Sequence, residues 1–167
     1  MSRIPPLPYD QWDPDTFSML TRLRPNNVLG LLARHPALAK PLLAYNMHLL
    51  GTSTLPPKTR ELAILRMAHR RNCTYEWTHH QHIAKKAGVT DEEIAEVRAG
   101  APTLINTAVD ELDTASRLSD ETYQRLAEDL DDHQLMDLVF TIGTYALLAM
   151  AFNTFDVQLE DSDAPLP

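Results

Sequence analysis

The sequence predicts an all-α protein, and three observations carry that reading. No stretch of the 167 residues alternates apolar and polar side chains with period two. Helix-start signals recur, with capping-box spacing in "TDEE" from Thr90 and in "DDHQ" from Asp131. Glycines at 51, 88 and 100 follow runs of helical apolar periodicity, where a chain leaving a helix favours a residue without a Cβ.

The elements follow in order. Three prolines in the first ten residues predict an extended N-terminal arm over about residues 1–12, because each fixes φ and removes a donor. Pro14 after Asp13 opens a helix to about Leu23, with proline at the first helical position. A short turn is expected from Asn27 to Arg34, then a helix from Pro36 to about Leu50 that Gly51 ends. A fourth helix starts near Pro57, its stripe made by Leu62, Leu65, Met67 and Ala68, and the fifth is "CTYEWTHHQHIAKKAG", closed by Gly88. Helices from Thr90 to Gly100, Thr103 to Arg117 and Asp120 to Leu130 lead to a long last one from Asp131. A short tail covers about residues 158–167. The whole, 1–167, reads as one domain.

Composition narrows the function. A net charge of −8 argues against nucleic acid or an anionic membrane as partner, since both call for a basic footprint. One cysteine forms no internal disulfide, and "MSRIPPLPYD" has no apolar signal-peptide core, so the expected location is the cytoplasm. The apolar run from Leu135 to Phe152 carries Asp137, Thr141, Thr144 and Tyr145, which predicts a buried core helix and no membrane span.

The chemistry concentrates in "NCTYEWTHHQH", residues 72 to 82. With about 100° per residue and Cys73 at zero, Glu76 falls near 300° and His80 near 340°, on the apolar face with Ile83, Ala84 and Ala87. Tyr75, His79, His82 and Lys86 fall on the opposite side, where solvent is expected, so the three histidines are no single metal cluster. A carboxylate and an imidazole, i and i+4, on a buried face require partners. If the fourth and fifth helices form a hairpin across the break at Asn72, Glu61 reaches His80. Glu61, Glu76, His80 and Cys73 are of metal-ligating type but lack the spacing of a dedicated motif, so neither a metal nor a cofactor is expected.

Glu61, Cys73, Tyr75, Glu76 and His80 together resemble the signature of the carboxymuconolactone decarboxylase and alkylhydroperoxidase-D-like family. In its peroxidase branch that signature is a glutamate, twelve residues to a Cys-x-x-Cys at a helix start, a tyrosine between the cysteines, and a histidine four after the second. Glu61, Cys73, Tyr75 and His80 match at this spacing, and Glu76 stands at the second cysteine. The stretch from Leu55 to Ile94 is similar to the family's core two-helix unit, and the last helix with Tyr145 and Asn153 to its C-terminal helix. The resemblance implies an alkylhydroperoxidase-D-like helical domain built round a core hairpin. It implies a homo-oligomer as well, trimer or hexamer and in some cases dimer.

The expected reaction is acid–base catalysis on a small organic acid, lactone or carbonyl compound, as in the decarboxylase branch, because Glu76 cannot complete a disulfide with Cys73. Catalytic roles fall to His80, Glu76, Glu61 and Cys73, and substrate contacts to Tyr75, Trp77, Arg66, Tyr145 and Asn153, with Arg66 or Arg70 taking a substrate carboxylate. Two alternatives stand beside this. Cys73, at a helix N-terminus near Arg70 and Arg71, is placed for a one-cysteine peroxidase. Trp77 and the Met-rich last helix suit a non-catalytic oligomer that binds a small apolar ligand.

Overall fold

The computed structural model describes residues 1–17 and 25–160, and among these there is no strand. A 3-10 turn, Tyr9–Gln11, precedes helices α1 (Pro14–Phe17), α2 (Asn27–Leu32) and α3 (Pro36–Met47), which runs into a π-helical turn, His48–Thr52. Then come α4 (Pro57–Arg70), α5 (Thr74–Lys86), α6 (Asp91–Ala99), α7 (Leu104–Ala115), α8 (Asp120–Ala127) and α9 (Asp132–Thr154). Both expected capping boxes form, at Thr90 with Glu93 and at Asp131 with Gln134. Gly88 and Gly100 end their helices at φ +88° and +69°, the left-handed region open to glycine.

Two expectations are corrected and one falls partly outside the described residues. The helix opening at Pro14 is seen to Phe17, and its expected remainder to Leu23 lies outside the described residues. The segment expected as a turn from Asn27 is the short helix α2, with the Asn26 side chain accepting from the Leu29 N–H at 2.8 Å. Gly30 inside it disguised the pattern. It is there because the N-terminal arm crosses at this point: a Cβ would sit 2.7 Å from Pro6 and 2.9 Å from the Leu7 carbonyl oxygen. Gly51 does not stop α3; the chain continues through the π-helical turn instead. Asp137 of α9 fixes that turn's exit, accepting from the Thr54 N–H at 2.7 Å and the Ser53 hydroxyl at 2.9 Å, and facing His48 Nε2 at 3.1 Å. These donors outweigh the burial of its carboxyl and hold it down at about 2.

Helix α4 is the central post. Ala63, Ile64 and Met67 pack with Leu138, Ile142, Tyr145 and Ala149 of α9, while Leu65 packs with Ala84 of α5 and Ile94 and Val97 of α6. Surrounded in this way, α4 has almost no wet side, so its ionic residues must find partners inside the protein. Arg66 forks onto Asp110 of α7 at 2.8 and 2.7 Å and reaches the Val97 carbonyl at 2.8 Å. Arg70 and Arg71 both meet Asp113. The basic helix and the acidic stretch that follows it in sequence thus neutralise each other.

Helix α9 is long and apolar enough to cross a membrane, yet 56% of its apolar window is buried within the protein, as expected for a core helix. Its outer face leaves Met136, Phe140, Leu147 and Met150 exposed.

Candidate functional site

Three residues, Arg71, Asn72 and Cys73, separate α4 from α5. Asn72 takes φ +51°, which a short polar side chain tolerates, and the Cys73 N–H returns to the Ala68 carbonyl at 2.9 Å. The reversal is tight, so the helices run antiparallel and the first turns of α4 face the second half of α5. Glu61 therefore meets His80: its Oε2 lies 2.7 Å from Nδ1, and neither residue is more than 5% exposed.

The other ring nitrogen is also engaged. Nε2 of His80 lies 3.3 Å from Glu76 Oε2, one turn back on α5, and 3.1 Å from the Tyr145 hydroxyl of α9. Arg60 donates to Glu61 Oε1 at 3.0 Å. Burial opposes charge on the imidazole, but the hydrogen bonds and negative charges of Glu61 and Glu76 outweigh it and lift His80 to about 9. The ring is thereby biased toward its imidazolium form, with Glu61 at one nitrogen and Glu76 at the other. Burial first, then the charges of Glu76 and Glu61, hold the Tyr145 phenol well above its ordinary range. Because Glu61 and Glu76 address opposite nitrogens of one ring, they do not converge on a point where His80 could also ligate an ion. Among the described residues no three His, Cys, Asp or Glu side chains are grouped to hold a metal.

Cys73 caps the start of α5 and is 1% exposed. Burial pushes its thiol up to about 11, with the Glu76 charge adding to the effect against the helix N–H groups.

The structure divides the sequence-derived residues into three places. Glu61, Glu76, His80 and Tyr145 form the sealed cluster, which lines neither of two nearby openings. Cys73 and Trp77 line a groove of about 200 Å³ with Ala68, His69, Asn72, Thr74 and Arg98. Tyr75 and Asn153 line a cavity of about 570 Å³ under the C-terminal strap. The strap explains a further difference. The α5 face expected in solvent is partly covered by residues 155–160: the Tyr75 hydroxyl donates to Glu160 Oε1 at 2.8 Å, and His79 Nε2 lies 2.9 Å from Glu160 Oε2. Asn153 is spent on the hairpin turn, donating to the Arg71 carbonyl at 2.7 Å. Arg66 is in none of the three places, its guanidinium being consumed by Asp110 and Val97, so it is not free for a substrate carboxylate.

Sequence reasoning missed Arg98 of α6, whose guanidinium lies over the Trp77 ring, 5.0 Å from the centroid. No local spacing links positions 77 and 98. Its placement at the last turn of the short helix before Gly100 was the available signal.

Comparison with solved structures supports the fold. An alkylhydroperoxidase AhpD core, an uncharacterized peroxidase-related protein from Ralstonia eutropha JMP134, superposes with TM-score 0.77 at 16% identity, covering 95% of this chain and 93% of that one. A peroxidase-related protein from Silicibacter sp. TM1040 gives 0.76 at 15%, covering 96% and 90%. The debrominase Bmp8, in a cysteine-to-alanine variant with 2,3,4-tribromopyrrole, gives 0.69 at 18%, covering 94% and 91%. No curated protein matches the chain by sequence. Residues 36–108, which run from the start of α3 into α7 and include Glu61, Cys73, Glu76 and His80, match the Carboxymuconolactone decarboxylase family, and the fold is the AhpD-like all-helical one.

Proposed function

We propose that the protein is an acid–base enzyme of the decarboxylase type, acting on a small organic acid, lactone or carbonyl compound. The observation that carries this is the buried His80 imidazole, held by Glu61 at Nδ1 and by Glu76 and Tyr145 at Nε2, beside the buried Cys73 thiol. In such a reaction the bond to the carboxylate breaks, CO₂ leaves, and the electron pair stays on the substrate as an enolate that takes one proton. His80 supplies that proton and solvent restores it. Glu76 is the cluster member one turn from Cys73, which lines the groove, so a relay through Glu76 toward the substrate requires the packing between them to open during turnover. No electron is gained or lost, so a second cysteine is not needed.

With a panel of lactones and keto acids, His80→Gln is expected to lower turnover about a hundredfold or more, and Cys73→Ser less than about fivefold. Circular dichroism would confirm that both variants are folded. Peroxide consumption with an external thiol, lost in Cys73→Ser and kept in His80→Gln, would replace this reading with the one-cysteine peroxidase.

We further propose that the enzyme works as a homo-oligomer joined through the outer face of α9. Met136, Phe140, Leu147 and Met150 are each more than half exposed and lie almost symmetrically about Gly143, where nothing stands within 4 Å of a Cβ. That pattern is self-complementary for two antiparallel copies crossing at the glycine. Sedimentation should show Phe140→Glu shifted to smaller species than the native chain. An unchanged distribution would remove this interface.

A further inference from the structure

The groove where α5 meets α6 has features that the buried cluster does not explain. Cys73 and Trp77 are among the residues that line it. His69 stands on one side, its ring 5.5 Å from that of Trp77, and Arg98 stands across the indole face. Charge makes the groove unusual in a chain of net charge −8. The arginines of α4 are neutralised by Asp110 and Asp113, whereas Arg98 has no carboxylate within ion-pair distance among the described residues. A guanidinium held over an indole face by its central carbon still has N–H donors to offer, and two of them on one edge can receive a planar carboxylate. By contrast, the larger cavity under the C-terminal strap is lined by Asp156, which is paired with Arg3, and has no cation of its own in its walls. A volume of about 200 Å³ also falls below the roughly 300–1,000 Å³ of drug-sized ligand sites, so the occupant is a small molecule.

We infer that this groove is the substrate-recognition site, and that it binds a small, flat organic acid by pairing its carboxylate with Arg98 and laying its apolar body along Trp77. The inference rests on the acid–base reading above and gives that reading its substrate class: the ligand is an anion, and the arginine that orients it belongs to α6, where the sequence had pointed to Arg66. Arg98 is exposed, so its replacement leaves the core untouched.

Benzoate and its uncharged analogue benzamide serve as probes against the full chain. Each is titrated by calorimetry and by following the two tryptophan indole N–H resonances. Benzoate is expected to move the Trp77 resonance and leave that of Trp12 in place, and to bind at least about tenfold more tightly than benzamide. Arg98→Gln should remove about a tenfold or larger share of benzoate affinity without changing benzamide, and Arg98→Lys should restore part of it. Equal binding of the two probes, an unchanged affinity in Arg98→Gln, or a response at Trp12 alone would each overturn the inference. Binding needs no turnover, so the two claims fail separately. Benzoate bound through Arg98 with no turnover of any acid in the panel would sink the proposed reaction and keep the site; turnover undiminished in Arg98→Gln would do the reverse.

Discussion

Glu61→Ala is expected to lower the unfolding free energy by about 3–5 kcal/mol, the range for removing one member of a buried ion pair. Glu61 has no measurable exposure, and its two carboxylate oxygens serve two cations, His80 at 2.7 Å and Arg60 at 3.0 Å. Truncation leaves a cavity in the most enclosed helix of the fold and strips the imidazolium of its shortest contact. The ring must then either stay charged with Glu76 alone or give up its proton in a dry site. Glu61→Gln keeps an acceptor and most of the volume, so it should lie between the native protein and Glu61→Ala. Urea titration reads the effect as a lowered midpoint at unchanged slope. A loss under about 1 kcal/mol in Glu61→Ala would mean that the glutamate is not buried against His80.

That contact was legible in the sequence, for reasons that show what was not. The i, i+4 spacing of Glu76 and His80 fixes their common face, and a tight break at Asn72 forces the hairpin that brings Glu61 across. Both steps use local geometry, where spacing determines direction. Arg66 depends on something else. Its partner Asp110 lies 44 positions away on α7, and only the packing of α7 against α4 decides that the arginine is consumed. The burial of Tyr75 and His79 likewise depends on Glu160, which reaches α5 from the far end of the chain. Periodicity identifies an apolar face; it does not say that a later segment will cover part of the polar one. The same limit applies to the opening beside the site. The inward turn of Glu76 and His80 follows from the helix, but they meet packed side chains, and the hollow lies a turn or more away at Cys73.

Stability should fall by roughly 3 kcal/mol as pH rises from about 6.5 to 9.5, with His80 as the cause. Its folded value, about 9, lies above the ordinary 6.5, so the folded state holds a proton that the unfolded chain releases. The contribution is complete below 6.5 and is lost as pH passes through 9, at up to about 1.4 kcal/mol per pH unit. The groups facing the ring from the three packed helices are Glu61 and Arg60 of α4, Glu76 of α5 and Tyr145 of α9. The tyrosine adds to the decline only above its ordinary value near 10, and the Cys73 thiol only above about 9. His69 acts in the opposite sense, because burial and then the charges of Arg66 and Arg98 lower it, so its contribution weakens below 6.5. Glu160 and Asp137, both held near 2, contribute above the ordinary carboxylate range and lose that contribution in acid. Stability is therefore greatest on the slightly acidic side of neutrality. Urea midpoints taken from pH 5 to 9.5, together with the His80 ring resonances over the same range, check both halves of the argument. A ring that titrates at or below 6.5, or a midpoint that holds steady between 6.5 and 9, would show that the imidazole is neutral at physiological pH. It would then be a base and not the proton donor that the proposed reaction requires.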